Sequence, residues 1–233
     1  MSDGFPFHGF PRALVAFYED LAYNNSRAWF NEHKDVYREY VIAPAQDFVR
    51  AMGERLRALA PDVVVDTRTT GGGSIFRIYR DTRFSKDKTP YKTFLGIFFW
   101  EGTRKKTENS GFYFHLEPPR LMLAAGVHVF PRPLLEVYRD AVVDPDHGPA
   151  LVRAVAQVAA RGPYEVGGRY YKRVPRGYGA AHENADYLLH NGLSASIESD
   201  VPEELFTQEC LDYCFERFRD MVPIHAWLRT LLG

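Results

Sequence analysis

Cysteine is scarce, long apolar runs are missing and neither sign of charge dominates. The 233 residues carry two cysteines, a formal net charge of -1 and a pI near 6.7. Two thiols in a chain this long are no disulfide framework. Cys210 and Cys214 stand four residues apart in a stretch with helical periodicity, so they are expected as small apolar packing groups on one helix face. No apolar run approaches the roughly 20 residues that a bilayer span requires, so no membrane partner is expected. The opening MSDGFPFHGF has neither the basic segment nor the apolar segment of a secretory leader, and the expectation is a cytoplasmic protein. Near-neutral charge argues against a wholly basic nucleic-acid binder, but the total hides segregation. Residues 75–106 hold nine Lys/Arg against Asp81, Asp87 and Glu101, and residues 194–220 hold eight Asp/Glu against Arg217 and Arg219. Internal repeats, low-complexity tracts and linkers are missing too.

What is present suits a packed core: 45% of residues are hydrophobic and 15% aromatic, spread along the whole chain. Leu14, Phe17, Tyr18 and Leu21 recur at helical spacing, and Asn24-Asn25-Ser26 offers a stop and a new N-cap. A second helical stripe runs through Trp29, His33, Val36, Tyr37 and Tyr40, and a third, opened by Pro44, through Phe48, Met52, Leu56 and Leu59. After Pro61 the period changes. Val63–Val65, then runs at 74–80, 93–100, 112–117 and 121–130, read as an antiparallel meander. Alternation puts Phe76 and Ile78, Phe112, Phe114 and Leu116, and Leu123, Ala125, Val127 and Val129 on an apolar face. Arg77, His115 and His128 fall on the other. Helices follow after Pro131 and Asp144-Pro145, then a basic loop or ragged strand at 167–178, a short helix near Asn184 and a strand at 193–197. An acidic helix over 202–221 and a terminal helix opened by Pro223 complete the chain. The fold class is α+β: one domain over residues 1–233, its central, mostly antiparallel sheet packed against helices from both ends of the chain.

The stretch SIFRIYRDTRFSKDKTPYKTFLGIFFW, Ser74 to Trp100, carries the chemistry. Arg77, Arg80, Arg83, Lys86, Lys88 and Lys92 bring six cations into sixteen residues, opposed by Asp81 and Asp87. Such crowding raises the folding free energy unless an anion, an acidic surface or open water relieves it. Arginine offers a two-pronged donor suited to phosphate or carboxylate, and lysine a mobile point charge. Thr89-Pro90 stiffens the return of the loop, and Phe84 and Tyr91 are expected to anchor it. A solvated hairpin tip is the plain alternative.

The run FRIYRDTRFSKDKTPYKTFLGIFF resembles the hallmark segment of the family named domain of unknown function 2461, bacterial and fungal proteins. Trp29-Phe30 with Tyr37, Gly111–Leu116 with Gly126, and Lys172-Arg173-Val174-Pro175-Arg176-Gly177-Tyr178 before Asp186-Tyr187-Leu188-Leu189 extend the likeness over nearly the whole chain. Tyr170-Tyr171 and His190-Asn191 are departures. The resemblance implies a single-domain α+β protein and supplies no catalytic residues.

Among the remaining candidates, His115 and His128 are the acid/base residues, because imidazole titrates near neutrality and cationic neighbours would lower its pKa. With Glu117 they make at most a weak metal pattern, and no metal is assigned. Gly71-Gly72-Gly73-Ser74 precedes a strand and so lacks the context of a phosphate-cradling loop. No G-x-S-x-G elbow occurs, and no cofactor is assigned. Lys172 and Arg173, with Arg169, Arg176 and the tyrosines 170, 171 and 178, form a second basic cluster. The expected function is binding of, or catalysis on, a small phosphate- or carboxylate-bearing ligand held by the 77–92 loop. The alternative is a nucleic-acid or acidic-partner module using both basic clusters. A third possibility is self-association of the acidic 194–220 region with a second copy's basic loop.

Overall fold

The computed structural model describes residues 7–232; residues 1–6, within the stretch read for a leader, and Gly233 lie outside the described residues. Seven α-helices and six strands are described: α1 (Arg12–Tyr23), α2 (Arg27–Glu32), α3 (Lys34–Tyr37), α4 (Ala43–Leu56), β1 (Val63–Val64), β2 (Leu95–Glu101), β3 (Gly111–Glu117), β4 (Arg120–Val127), α5 (Arg132–Val143), α6 (His147–Ala159), β5 (Glu165–Arg169), β6 (His190–Asp200) and α7 (Cys210–Leu232). The strands form one antiparallel sheet in the order β1-β2-β3-β4-β6-β5. The architecture is the expected α+β. No described helix is long and apolar enough to cross a membrane.

By compactness the chain divides into two units. One comprises Met1–Phe99, Tyr113–Met122 and Glu198–Glu216; the other comprises Trp100–Phe112, Leu123–Ile197 and Arg217–Gly233.

In the first unit, α1 starts after Pro11 and buries Leu14, Phe17, Tyr18 and Leu21; its end is capped by the Asn24 N–H on Asp20 O at 3.0 Å. Ser26 caps α2, its Oγ accepting from the Trp29 N–H at 3.3 Å. The single stripe expected next is broken. A π-helical turn, Arg38–Ile42, follows α3, and its extra residue per turn shifts the helical phase. Before it the helix is already interrupted at His33, between α2 and α3; Phe30 and Val41 are buried, and Val36 is exposed. Helix α4 has Pro44 in its first turn and buries Phe48, Val49, Met52 and Leu56. Phe48 lies 5.1 Å from both Phe10 and Phe114, ring centre to centre, and 6.3 Å from Phe99. This aromatic cluster is the core of the unit.

The expected strand at 74–80 is not a strand. It meets the following chain through two isolated bridges, Ile75 with Ile97 and Tyr79 with Tyr91. Pro90 accepts from the Arg80 N–H at 2.9 Å but has no N–H to return. Ile75 and Ile78 are both buried, a spacing of three that strict alternation would place on opposite faces. The apolar face of β3 (Phe112, Phe114, Leu116) and that of β4 (Leu121, Leu123, Ala125, Val127) are buried as expected. Val129 lies beyond the end of β4, exposed, and Phe130 is buried instead.

In the second unit, the segment expected to be a short helix near Asn184 is a 3-10 turn at Tyr187–Leu189; of the basic segment only residues 167–169 are strand, the end of β5, which pairs antiparallel with β6, and residues 170–178 are loop. Trp227 anchors the apolar packing, its indole N–H donating to His147 O at 3.0 Å and its ring 6.0 Å edge-on to Tyr138. The two C-terminal helices expected on either side of Pro223 are one helix, α7, with Pro223 inside it. Proline removes the N–H that would bond the carbonyl four residues earlier, that of Arg219. Arg161 supplies the missing donor: its Nη1 bonds Arg219 O at 2.9 Å. A side chain from the end of α6 thus completes the backbone ladder of α7.

Replacing Arg161 by Ala should therefore cost about 1 kcal/mol, the net worth of one hydrogen bond. In a Pro223→Ala background, where the backbone N–H is restored, the same replacement should cost measurably less. Equal costs in both backgrounds, measured by chemical denaturation, would remove this account of how α7 tolerates its proline.

Candidate functional site

The basic loop is built on Tyr91. Its ring is buried and stacks on Phe30, centres 4.2 Å apart. The Asn25 side chain holds its backbone on both sides: Asn25 Nδ2 donates to Tyr91 O at 2.9 Å, and Asn25 Oδ1 accepts from the Tyr91 N–H at 3.1 Å. Phe84, expected as a second anchor, is 94% exposed at the loop tip.

The loop cations do not converge on one point. Arg80 Nη1 bonds both Asp87 Oδ2 and Thr89 Oγ1. Arg83 grips Asp81 through two nitrogens, at 2.9 and 2.6 Å. These pairs hold both carboxyls well below the usual carboxylate range, at about 2. Lys88 donates to Thr82 O at 2.8 Å, and Lys86 is exposed. Arg77 lines a cleft of about 280 Å³ with Phe30, Lys34, Tyr37, Arg38 and Tyr79. Arg80 and Lys92 line a different cleft of about 410 Å³, with Asn25, Thr89, Thr93 and Glu117.

Lys92 differs from its neighbours. Its ammonium lies 5.3 Å from the centre of the Phe76 ring and 5.6 Å from that of Phe94. Among the described residues no carboxylate comes within ion-pair distance of it. Burial, reinforced by the charge of Arg77, holds its pKa below the ordinary lysine value. Gly96 makes room beside it: a Cβ there would stand 2.9 Å from the Tyr113 hydroxyl, 3.2 Å from Phe76 and 3.3 Å from Phe94.

A chain of polar contacts runs along the same part of β3. Tyr113 Oη lies 2.9 Å from His115 Nδ1, His115 Nε2 lies 3.6 Å from Glu117 Oε2, and Thr93 Oγ1 donates to Glu117 Oε1 at 2.6 Å. The pKa of His115 is lowered as expected, but the cause is burial; Glu117 acts against it, and the loop cations are not the source. Burial also pushes the Tyr113 hydroxyl up to about 12. A neutral imidazole accepting from Tyr113 and facing Glu117 with its other nitrogen satisfies the whole chain. His128 takes no part in it, being exposed beyond the end of β4 in the second unit. No three His, Cys, Asp or Glu side chains among the described residues are grouped to hold a metal ion.

Lys172 and Arg173 also belong to the second unit and are exposed. Around them Arg169 pairs with Asp186 at 3.3 Å, Arg139 stands 4.8 Å over the Tyr171 ring, and Tyr178 donates to Asp140 at 2.7 Å. Tyr170, 69% exposed, presents the freest ring of the three. Four of the eight acids of the acidic segment are paired within the first unit: Glu198 and Asp200 with Arg120 at 2.8 and 2.7 Å, Glu203 with Arg12 and Asp212 with Arg55. Cys210 and Cys214 are both buried and unpaired, and their mutual contact and burial raise the Cys210 thiol pKa.

One constellation escaped the sequence reading. In the second unit, Ser110 Oγ lies 2.9 Å from His225 Nδ1, His225 Nε2 lies 3.1 Å from Glu101 Oε2, and Arg229 Nε lies 3.1 Å from the same oxygen. These are the residue types of a serine hydrolase, scattered over more than a hundred positions. The available signal was a Glu at the end of an apolar strand and a His on an apolar helix face. Ser110 is 0% exposed and His225 2%, so no substrate reaches the hydroxyl. The group satisfies itself and reads as a buried polar network.

Ser110→Ala, which leaves His225 Nδ1 unpaired in the core, should destabilise the protein by about 1–3 kcal/mol. The folded wild type should resist a fluorophosphonate probe, and labelling of Ser110 would overturn the reading of this network as core.

Comparison with curated proteins and with solved structures finds no significant match. The family model described as conserved hypothetical protein (DUF2461) matches residues 13–227, and the chain belongs to that family.

Proposed function

We propose that the cleft lined by Arg80, Lys92, Thr89, Thr93 and Asn25 binds a small anionic ligand, its phosphate or carboxylate seated against Lys92. The observation that carries this reading is the charge on Lys92, half-buried near two rings with no carboxylate within ion-pair distance among the described residues, although Asp87 and Glu117 line the same cleft, while Arg80 and Arg83 each have one. A partly desolvated cation is costly without a counter-charge, and a bound anion supplies it. Arg80 keeps Nε and Nη2 as further donors, since its bonds to Asp87 and Thr89 use Nη1. The Thr89 and Thr93 hydroxyls complete a donor set of the kind that oxyanions take. His115, neutral and connected through Glu117 to Thr93, serves as the proton acceptor if the bound ligand reacts. We place the protein in the reducing cytoplasm, a setting that its two buried thiols support.

Thermal-shift titration tests this. Phosphate should raise the melting temperature of the wild type, and Lys92→Met should weaken the apparent affinity roughly ten- to a hundredfold, the worth of one charge-assisted hydrogen bond. Arg83→Ala and Lys86→Ala, at the exposed tip, should change it little. Sulfate, whose charge is constant, should bind more weakly as pH rises through the Lys92 pKa, because the lowered pKa removes the cation at lower pH than in an ordinary lysine. Stabilisation by oligonucleotides alone, lost steeply with added salt, would instead favour the nucleic-acid reading.

A further inference from the structure

The anion reading leaves unexplained why the unpaired cation is a lysine sandwiched near aromatic rings. Arginine would be the stronger oxyanion clamp, since it presents a fixed fork and does not lose its proton. Lysine is distinguished by what its neutral form does: the free amine is a nucleophile. Two conditions favour the free amine over the ammonium, removal from water and a neighbouring positive charge. Both are present. Phe76 and Phe94 border the ammonium on the apolar side, and Arg77 is the neighbouring charge. Salt bridges, which would hold the proton on, go to Arg80 and Arg83.

The cleft also has the other parts an amine–carbonyl reaction needs. Its volume of about 410 Å³ admits a small molecule beside Lys92. Glu117 lines the same cleft, with His115 behind it at 3.6 Å and the Thr93 hydroxyl on its second oxygen, so groups able to pass protons stand at the reaction site. We propose that Lys92 captures the carbonyl group of a small anionic aldehyde or ketone, such as an oxo acid or a phosphorylated aldehyde, as an imine. The proposal rests on the anion reading for the ligand's charge and adds the carbonyl.

The step balances without any redox partner. The Lys92 lone pair attacks the carbonyl carbon, forming the C–N bond while the C=O π pair moves onto oxygen. That oxygen takes one proton from the nitrogen and a second from solvent, and leaves as water. The nitrogen lone pair closes the C=N bond, giving a protonated imine. Arg80 and the threonine hydroxyls hold the ligand's anionic end meanwhile.

Reductive trapping decides the matter. The full-length protein is incubated at neutral pH with glyoxylate, and separately with its neutral counterpart glycolaldehyde, in the presence of cyanoborohydride, which delivers hydride only to an imine carbon. Peptide mapping then compares Lys92 with the exposed lysines 86, 88 and 105, which serve as internal controls. The expected result is modification of Lys92 at least tenfold faster than of those controls, faster with glyoxylate than with glycolaldehyde, and suppressed by phosphate. Lys92→Arg keeps the cation and should retain phosphate stabilisation while losing the adduct, which guards against a variant that merely misfolds. Glyoxylate labelling spread evenly over the lysines, or sparing Lys92, overturns the proposal, and continued phosphate stabilisation would then leave the anion reading standing. Rapid Lys92 labelling by both aldehydes alike, without phosphate stabilisation, upholds the reactive lysine and overturns the anion reading alone.

Discussion

The two hydrogen bonds between the Asn25 amide and the backbone of Tyr91 hold the candidate site in place. Every other feature of the basic loop is hung from that point. A loop with six cations and two acids repels itself, and repulsion of that kind favours open, water-filled conformations. Asn25 opposes this by spanning one residue's N–H and C=O together, a geometry that a carboxylate cannot provide because it has no donor. The stacked Phe30 ring does the same for the side chain. Thr89-Pro90 on one side and Lys92 on the other are thereby set at the mouth of the larger cleft. The short turn Asn24-Asn25-Ser26, which first stands out as a helix boundary, is thus also the clamp of the site.

Much of the fold was legible in the residues, because helical and strand periods are properties of local sequence. The stripe of α1, the Phe48-Met52-Leu56 part of that of α4, the alternation in β3 and Val63-Val64 of β1 lie where their spacing puts them. What the residues did not reveal has a common physical origin, tertiary partners that override local rules. Pro223 reads as a helix start because proline lacks a donor. Only the guanidinium of Arg161, far away in sequence, makes it tolerable inside α7. The Arg38–Ile42 π turn likewise has no local signature, and Val41 within it is buried where the expected stripe named Tyr40.

The site was legible in part. Composition identified the loop and its cations, and the family likeness identified the same stretch. Composition could not pair the charges. Asp81 goes to Arg83 two residues on, an arrangement that the loop's own turn permits, and Asp87 reaches back to Arg80 across the loop. Strand alternation likewise put Arg77 and His115 on one face, yet Arg77 belongs to the smaller cleft because the segment carrying it is not a regular strand. The Tyr113–His115–Glu117 chain follows from period 2 alone, which aligns residues 113, 115 and 117 on one face of β3. Its extension to Thr93 required the neighbouring strand.

The distribution of the two acids among six cations is itself informative. Carboxylates pair most strongly with guanidinium groups, whose forked N–H groups donate to both oxygens, and both acids in the loop go to arginines. Lys86 and Lys88 reach water and need no partner. Arg77 is exposed at its own cleft. Lys92 alone in the loop is both turned from water and left without an acid, although Glu117 lines the same cleft and is bonded to Thr93 instead. Had the loop been shaped for solubility alone, a half-buried cation without an acid would be the first to gain by losing its charge, and a neutral polar residue at position 92 would relieve the repulsion. A lysine there carries a desolvation cost, which the rings of Phe76 and Phe94 offset in part and which the ligand proposed above would offset further.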